Sequence, residues 1–182
     1  MTEDSGNWFK RRQALKVASK AAYSGLMRAA LTPRYFVAGD VADTFEGRSQ
    51  IVTLHAGLVI RRLRGADGDR GRKLAEAVNT LVLDGFDAAF RENGVGDSSI
   101  ARKMRKLAET HYGLGKVFTA ALDLQDRREQ VEAIDDVLRR NGVIQHDRPS
   151  EFPGYLAAQD ERFRGHADED VLAGNFHWLI LD

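Results

Sequence analysis

The side chains best suited to chemistry in this chain are its five histidines, and their spacing does not build a metal site. A metal site on a helix needs two ligands three or four residues apart, as in His-x-x-x-His, His-Glu-x-x-His or Glu-x-x-His. None of these patterns occurs at any of the histidines, which are His55, His111, His146, His166 and His177. The sequence carries no metal signature, and we expect no metal or other cofactor.

The remaining reactive groups do not form a catalytic set either. The chain has no cysteine, which excludes a thiolate nucleophile, a thiolate metal site and a disulfide framework. Asp84 and Asp87 stand one helical turn apart and could act as a carboxylate pair, although helices commonly carry such residues for hydrogen bonds to a neighbouring helix. We favour the structural interpretation and predict that the protein is not an enzyme.

A glycine-rich segment resembles a phosphate-binding loop only superficially. Residues 94–99 read Gly-Val-Gly-Asp-Ser-Ser ahead of a predicted helix, whose N-terminal amides could bind an anion. No strand precedes the segment, it lacks the lysine of a phosphate loop, and Asp97 would occupy the same amides as a helix cap. A corner between two helices explains the segment better.

Composition and apolar patterning indicate a globular protein of the cytoplasm. Hydrophobic residues make up 43% of the chain and charged residues 30%, which is too apolar for general disorder. The longest apolar run, residues 51–60, is far shorter than the roughly 20 residues that span a bilayer. Lysines and arginines interrupt the N-terminal segment, so it lacks the apolar core of a signal peptide. A further prediction is peripheral contact at the cytoplasmic face of the inner membrane.

The spacing of apolar side chains predicts helices and almost no strands. Apolar residues recur with the helical period over residues 9–30, 48–63, 74–90, 100–111, 112–122, 131–138 and, more weakly, around 155–163. The apolar ending at residues 176–181 should dock onto the core. The predicted fold is all-α, a single orthogonally packed bundle of about six to eight helices.

The helix ends and faces carry more specific predictions. Asp43 and Glu46 have the spacing of a capping box at the start of the second helix. His55 lies inside that apolar helix, where a hydrogen-bonded core histidine is expected rather than a ligand. The fourth helix places a packing stripe on one side and a basic face on another, formed by Arg102, Lys103, Arg105 and Lys106.

Charge is divided unevenly along a chain whose formal net charge is zero. Residues 1–122 carry 20 Lys+Arg against 13 Asp+Glu, a balance of +7, while residues 123–182 carry 7 against 14, a balance of −7. Solvated helix faces explain most such asymmetry, and a basic partner-facing surface is the alternative. We divide the chain into a basic N-terminal helix at 1–21, a helical core at 22–141 and an acidic C-terminal extension at 142–182.

An ordered set of short motifs resembles the ubiquinol-cytochrome c chaperone family. The first block is residues 43–48, Asp-Thr-Phe-Glu-Gly-Arg, followed by His55 and the Arg-Arg-Leu-Arg of residues 61–64. The second block runs from Asp84 to residues 112–113, Tyr-Gly. Two departures stand out: this chain reads His-Tyr-Gly-Leu at 111–114 where the family usually reads Phe-Tyr-Gly-Arg, and it has Ala101 where proline is common.

The resemblance implies an assembly factor that binds newly made cytochrome b and supports assembly of ubiquinol-cytochrome c reductase. It also implies a ribosome and a homodimeric or heteromeric partner as further contacts. We expect the client to contact Arg48, Arg62, Arg102, Lys103, Lys106 and Tyr112. The family motifs that shape the helices and loops are Asp43, Thr44, Glu46, Gly47, His55, Asp84, Asp87, Gly94, Gly96, Asp97 and Gly113.

A second hypothesis comes from the basic face of the fourth helix alone. The same lysines and arginines could engage phosphates and make the protein a ribosome- or RNA-binding adaptor. Few aromatic residues are available for base stacking, which argues against this alternative.

Overall fold

Helices account for all the regular secondary structure in the part of the chain that is described. A computed structural model describes residues 3–92 and 97–179. The eight helices are α1 (Glu3–Ala30), α2 (Arg34–Val37), α3 (Phe45–Arg64), α4 (Gly68–Glu92), α5 (Asp97–Leu122), α6 (Arg127–Arg140), α7 (Phe152–Arg164) and α8 (Asp168–Leu172). The all-α prediction of about six to eight helices is confirmed.

Helix α3 is the centre around which the others pack. Its residues from Gly47 to Val59 are buried apart from the exposed Arg48 and the half-buried Gly57, because apolar side chains lie on nearly every side of the helix. Five other helices contact it: α1, α4, α5, α7 and α8. Helix α4 packs against both α1 and α5, and α6 joins α5 to α7. The predicted burial of this helix is confirmed.

The start of α3 differs from the predicted capping box by one residue. Thr44, not Asp43, is the N-cap, and its side chain accepts a hydrogen bond from the Gly47 amide at 3.1 Å. Asp43 instead accepts from the Arg48 side chain at 2.6 Å. Gly47 is required here because a Cβ would lie 2.1 Å from the Ala42 carbonyl oxygen. Either Asp43 or Thr44 can cap a helix, so spacing alone did not separate them.

Helix α5 runs without a break where the sequence pattern predicted two helices. The predicted boundary at residue 112 is wrong, because α5 continues through Gly113 and Gly115 to Leu122. Leu114, Phe118 and Leu122 are buried on one side of this second half, and their burial offsets the helix-breaking tendency of two glycines.

The C-terminal helices close the bundle. Gly142, with φ +67°, follows the C-terminal end of α6. Two ion pairs lie on the outer face of α6, with Arg139 bonded to Asp135 at 2.7 Å and Arg140 to Asp136 at 2.8 Å. After α8, residues 176–179 pack against the core, so the docking of the apolar ending is confirmed for the described residues.

Candidate functional site

A cleft opens between three helices on one side of the bundle. Helix α3 forms its floor, while the N-terminal half of α4 and the C-terminal half of α5 form its walls. Its volume is about 820 Å³. Much of the lining is small or aliphatic, and these residues are Gly57, Ile60, Ala75, Gly115 and Ala120. The cleft is large enough for a peptide segment, and its surface is mixed rather than purely apolar.

A chain of hydrogen bonds crosses one end of the cleft and joins all three helices. His111 on α5 lies 2.9 Å from the Thr53 hydroxyl of α3 through Nδ1, and 3.0 Å from the Asn79 Oδ1 of α4 through Nε2. The Asn79 side-chain amide then donates to the Tyr112 hydroxyl oxygen at 3.1 Å. These contacts hold α4 and α5 together at this end of the cleft.

The direction of these bonds follows from the charge of His111. Burial lowers the pKa of His111, so the ring is neutral near neutral pH. Since Asn79 Oδ1 can only accept, Nε2 of the neutral ring donates to it and Nδ1 carries the lone pair that faces the Thr53 hydroxyl. The single proton of that hydroxyl also lies within reach of the Ser49 carbonyl oxygen, at 2.8 Å. Tyr112 receives a hydrogen bond from Asn79 and keeps its own hydroxyl proton to donate. Its ring is 56% exposed, so that donor stands at the edge of the cleft.

Charged side chains surround the opposite end of the cleft. Arg61 is held by Asp123 at 2.6 Å and by the buried Asp160 at 3.2 Å. Arg64 and Lys116 are exposed and make no ion pair with any described residue, and neither does the acidic Glu76 nearby. Two unpaired cations and one unpaired anion therefore border the cleft, with positive charge in excess.

Two glycines in α5 have no role in packing that the described residues reveal. A Cβ at Gly113 or Gly115 would meet no other heavy atom within 4 Å, apart from the helix's own backbone. Glycine inside a helix costs roughly 1 kcal/mol relative to alanine. The two glycines therefore destabilise α5, and no packing contact among the described residues requires them. Gly115 lines the cleft, whereas Gly113 is exposed on the outer face.

The predicted basic face lies on the first half of α5. Arg102, Lys103, Arg105 and Lys106 are exposed, and none makes an ion pair within the described part of the chain. The same helix leads from these residues to Tyr112 at the cleft. Four exposed residues of the predicted partner-binding set therefore lie on the same helix, namely Arg102, Lys103, Lys106 and Tyr112.

Two other predicted contact residues are used inside the chain. Arg48 lies at the start of α3, where it bonds Asp43 and stands 4.9 Å from the centre of the Phe36 ring. Arg62 is half-buried and donates to the carbonyl oxygens of Phe163 and His166 at 2.8 and 2.6 Å. The Arg62 guanidinium also pairs with Asp168 at 2.5 Å and so fixes the region between α7 and α8.

His55 lies in a sealed aromatic centre, as the core-histidine prediction required. It is fully buried, its Nδ1 donates to the Ile51 carbonyl at 2.9 Å, and the Tyr35 and Tyr155 hydroxyls approach its Nε2 at 3.5 and 3.4 Å. Burial lowers the pKa of His55 to about 4, against a smaller raising effect of the Ile51 bond. The ring is neutral and has no access to a ligand.

The other motif residues are spread over several helices. Glu46 is exposed in the first turn of α3, and Asp84 is exposed on α4, where its charge helps raise the pKa of Tyr23 after the larger effect of burial. Asp87 pairs with Arg91 at 2.9 Å. Asp97 begins α5, while its side chain and the two predicted loop glycines, Gly94 and Gly96, lie outside the described residues.

The sequence did not single out Asn79, Thr53 or Gly115, which complete the cleft. His111 was predicted only as part of a packing stripe. The pair of glycines around Leu114 was the one signal that could have identified the cleft, since glycine is costly inside a helix.

Two kinds of feature are absent from the part of the chain that the structure describes. No group of three or more histidine or acidic side chains stands close enough to hold a metal ion among the described residues. Within the same residues, no helix has the length and hydropathy needed to cross a membrane.

Comparison with known proteins identifies the family. A family model described as Ubiquinol-cytochrome C chaperone matches residues 38–178, which is most of the chain. The chain belongs to this family. It is also similar to the crystal structure of the Cbp3 homolog from Brucella abortus, with 27% identity, a TM-score of 0.78 and coverage of 96% of both chains. No curated protein matches the chain.

Membership of the ubiquinol-cytochrome C chaperone family makes this protein an assembly factor for ubiquinol-cytochrome c reductase rather than an enzyme. The match contains the whole cleft and the basic face of α5, whereas α1 lies before it. The resemblance drawn from the short motifs is confirmed. The boundaries of the three predicted segments stay a prediction.

Proposed function

We propose that the protein binds newly made cytochrome b and that the cleft between α3, α4 and α5 receives a segment of this client. The observation that carries the proposal is the cleft itself, where Gly115 lines one wall without a side chain. A Cβ at Gly115 would meet no other side chain within 4 Å, so the packing of α5 does not require a glycine there, although glycine inside a helix costs roughly 1 kcal/mol relative to alanine. The absence of a side chain at this position lets a partner backbone approach closely.

The chemistry of the cleft fits an apolar helical segment with a negative end. Ile60, Ala75 and Ala120 offer aliphatic contacts, and small residues allow close helix packing. Arg64 and Lys116 at the charged end make no ion pair with any described residue. They can therefore face the C-terminal end of a client helix, whose free carbonyl groups carry partial negative charge. Cytochrome b is a membrane protein, so it presents apolar helices of this kind before its assembly.

The place of action belongs to the same proposal. We place the protein in the cytoplasm with peripheral contact at the cytoplasmic face of the inner membrane, where a membrane-protein client is inserted. The ribosome and a second copy or different subunit stay predicted partners. The acidic residues of 142–182 suit the Lys/Arg-rich cytoplasmic loops of such a client.

The first test is a reduced-minus-oxidised cytochrome spectrum of membranes from cells that lack the gene, with reductase activity measured alongside. We expect the b-type signal and the activity to fall, and the intact gene to restore both. An unchanged spectrum with unchanged activity would rule out the assembly of cytochrome b as the function.

A matched pair of glycine variants tests the role of the cleft. Gly115→Leu places a branched side chain in the cleft, whereas Gly113→Leu places the same side chain on the exposed face of the same helix. Both positions have room for a Cβ, so both variants should fold, which circular dichroism can verify. We expect only Gly115→Leu to lose co-purification of cytochrome b. Equal co-purification with both variants would remove the cleft from the client site.

The second candidate function is RNA or ribosome binding by the basic face of α5, because its four cations are exposed and unpaired within the described part of the chain. Counterion release predicts that RNA affinity falls steeply between about 50 and about 200 mM salt. Retention of single-stranded RNA at low salt, lost in the double variant Lys103→Glu/Lys106→Glu, would support it. No retention at low salt would dismiss it.

A further inference from the structure

The N-terminal half of α1 exposes large apolar side chains that the bundle does not cover. Trp8 is 52% exposed, Phe9 65% and Val17 58%. The buried face of α1 begins only with Ala18, which packs into the core. Helix α1 thus consists of a docked C-terminal half and an uncovered N-terminal half.

After the acidic Glu3 and Asp4, with which α1 begins, the charge of this region is of one sign. Between Ser5 and Gly39 the sequence contains no aspartate or glutamate. It contains seven basic residues, which are Lys10, Arg11, Arg12, Lys16, Lys20, Arg28 and Arg34. The five that lie on the first 20 residues are exposed and make no ion pair with any described residue. Such a surface attracts anions strongly and repels basic partners.

The apolar and basic side chains are interleaved. Phe9 and Val17 lie eight residues apart, so they share one side of the helix, and Lys16 and Lys20 stand beside them. Trp8 contacts the edge of Phe9 with ring centres 4.7 Å apart, and the Arg12 guanidinium lies 5.4 Å from the centre of the Trp8 ring. Tryptophan and phenylalanine among lysines and arginines are typical of helices that lie in the headgroup layer of a membrane.

A shallow groove beside this face has the same positive charge balance as the face itself. Phe9, Ala14 and Val17 form one side of it, and residues of α4 and α8 form the other. Among the residues that line this groove, Glu169 is the one acidic side chain, and Lys10 and Arg70 are the two basic ones. The groove is therefore also positive in balance.

We propose that the N-terminal half of α1, residues 8–20, docks the protein on an anionic membrane surface. Its lysines and arginines attract the negative headgroups, and Trp8, Phe9 and Val17 enter the interface between headgroups and acyl chains. This inference rests on the membrane contact of the proposed function and deepens it, but it does not depend on the identity of the client. It assigns the membrane contact to a helix that lies outside the matched family region.

The experiment is co-sedimentation of the full-length protein with vesicles. Vesicles of phosphatidylcholine with about one third phosphatidylglycerol are compared with vesicles of phosphatidylcholine alone, over a range of salt concentrations. Each basic residue near an anionic surface contributes on the order of a factor of five, so Lys10→Glu/Arg11→Glu should reduce the apparent affinity for anionic vesicles by about 25-fold or more. The matched control is Lys103→Glu/Lys106→Glu, which makes the same charge change on α5 and should leave the affinity near that of the unmodified protein.

Tryptophan fluorescence reports whether Trp8 enters the membrane interface. The emission of the unmodified protein should shift to shorter wavelength when anionic vesicles are added, and Trp8→Phe should remove the shift because only Trp178 remains. Phe9→Ser with Val17→Ser should lower vesicle affinity while leaving the charge unchanged.

Three outcomes would overturn the inference. They are no binding to anionic vesicles at physiological salt, equal losses from the α1 and α5 charge reversals, or capture of RNA by residues 8–20 without vesicle binding. Each is separable from the client proposal, because co-purification of cytochrome b is measured on detergent-solubilised samples without vesicles.

Discussion

Two buried histidines lie in opposite kinds of surroundings. His55 on α3 is enclosed by aromatic rings, with Tyr35, Phe152, Tyr155 and Trp178 all within 6.3 Å between ring centres. His111 on α5 is also buried, but its hydrogen bonds lead outward through Asn79 to the exposed Tyr112. The first histidine closes a core and the second borders a cleft.

The difference separates the part of the molecule that maintains the fold from the part that is free to bind. Around His55, bulky side chains from α2, α3, α7 and the C-terminal segment fill the space. Around His111, glycines and alanines leave about 820 Å³ open and polar groups span the gap. Substitutions at the aromatic centre should therefore change stability, and substitutions at the cleft should change binding.

The largest expected effect is the loss of an aromatic ring from the sealed centre. Phe152 is 1% exposed, so Phe152→Ala should lower the free energy of unfolding by about 4 kcal/mol, through lost burial and a cavity. Tyr112→Ala at the cleft should cost less than about 1 kcal/mol, because that ring is more than half exposed. Urea unfolding measures both. Similar losses in the two variants would break the distinction between the regions.

The sealed centre should also make stability depend on pH. The pKa of His55 is about 4 in the folded protein and has an ordinary value of 6.5 when the chain unfolds. Between these values the unfolded chain binds a proton that the folded protein excludes, so stability is complete above 6.5 and falls as the pH drops toward 4. His55 should account for about 2 kcal/mol of loss between about pH 7 and about pH 5.

The variant His55→Gln identifies the source of that slope. It should flatten the dependence of the unfolding free energy on pH, apart from the smaller contributions of His111 and His166, whose pKa values are also lowered by burial. A slope that is unchanged in His55→Gln would contradict a neutral, sealed histidine.

The two glycines of α5, Gly115 in the cleft and Gly113 on the exposed face, should respond to substitution in the opposite way to core residues. Gly115→Ala and Gly113→Ala should each raise the unfolding free energy by roughly 0.5 to 1 kcal/mol, since alanine favours the helix and a Cβ meets nothing at either position. Thermal unfolding measures the gain. A loss of stability in Gly115→Ala would show that the cleft is narrower than the structure describes.

The smallest expected change in stability belongs to the basic face of α5. Lys103→Glu with Lys106→Glu should alter the unfolding free energy by less than about 0.5 kcal/mol, because both side chains are exposed and unpaired within the described residues. We expect the same variant to weaken capture of cytochrome b. Capture equal to that of the unmodified protein would remove the basic face from the client site.

Much of the fold could be predicted because apolar spacing repeats along the chain. The helical stretches predicted over residues 48–63 and 131–138 correspond to α3 and α6. The errors were local. Thr44 replaced Asp43 as the N-cap, since both are capping residues, and α5 ran through Gly113 because burial of Phe118 and its neighbours outweighed the cost of glycine.

The cleft could not be predicted in the same way. It depends on how α4 and α5 lie over α3, and the contacts that set this arrangement join residues far apart in sequence, such as Thr53 with His111. The role of Arg62 could not be predicted from the sequence for the same reason. Its sequence motif suggested a partner contact, whereas its three hydrogen bonds to residues 163–168 are visible only after folding.

The most direct test of the central claim is a photo-crosslink from the cleft to the client in living cells. A photoreactive amino acid replaces Ala120, which lines the cleft and is exposed, or Glu132, which is exposed on α6 away from the cleft. We predict that newly made cytochrome b crosslinks from position 120 and not from position 132. Crosslinking from both positions alike, or from neither while cytochrome b still co-purifies, would contradict binding in the cleft.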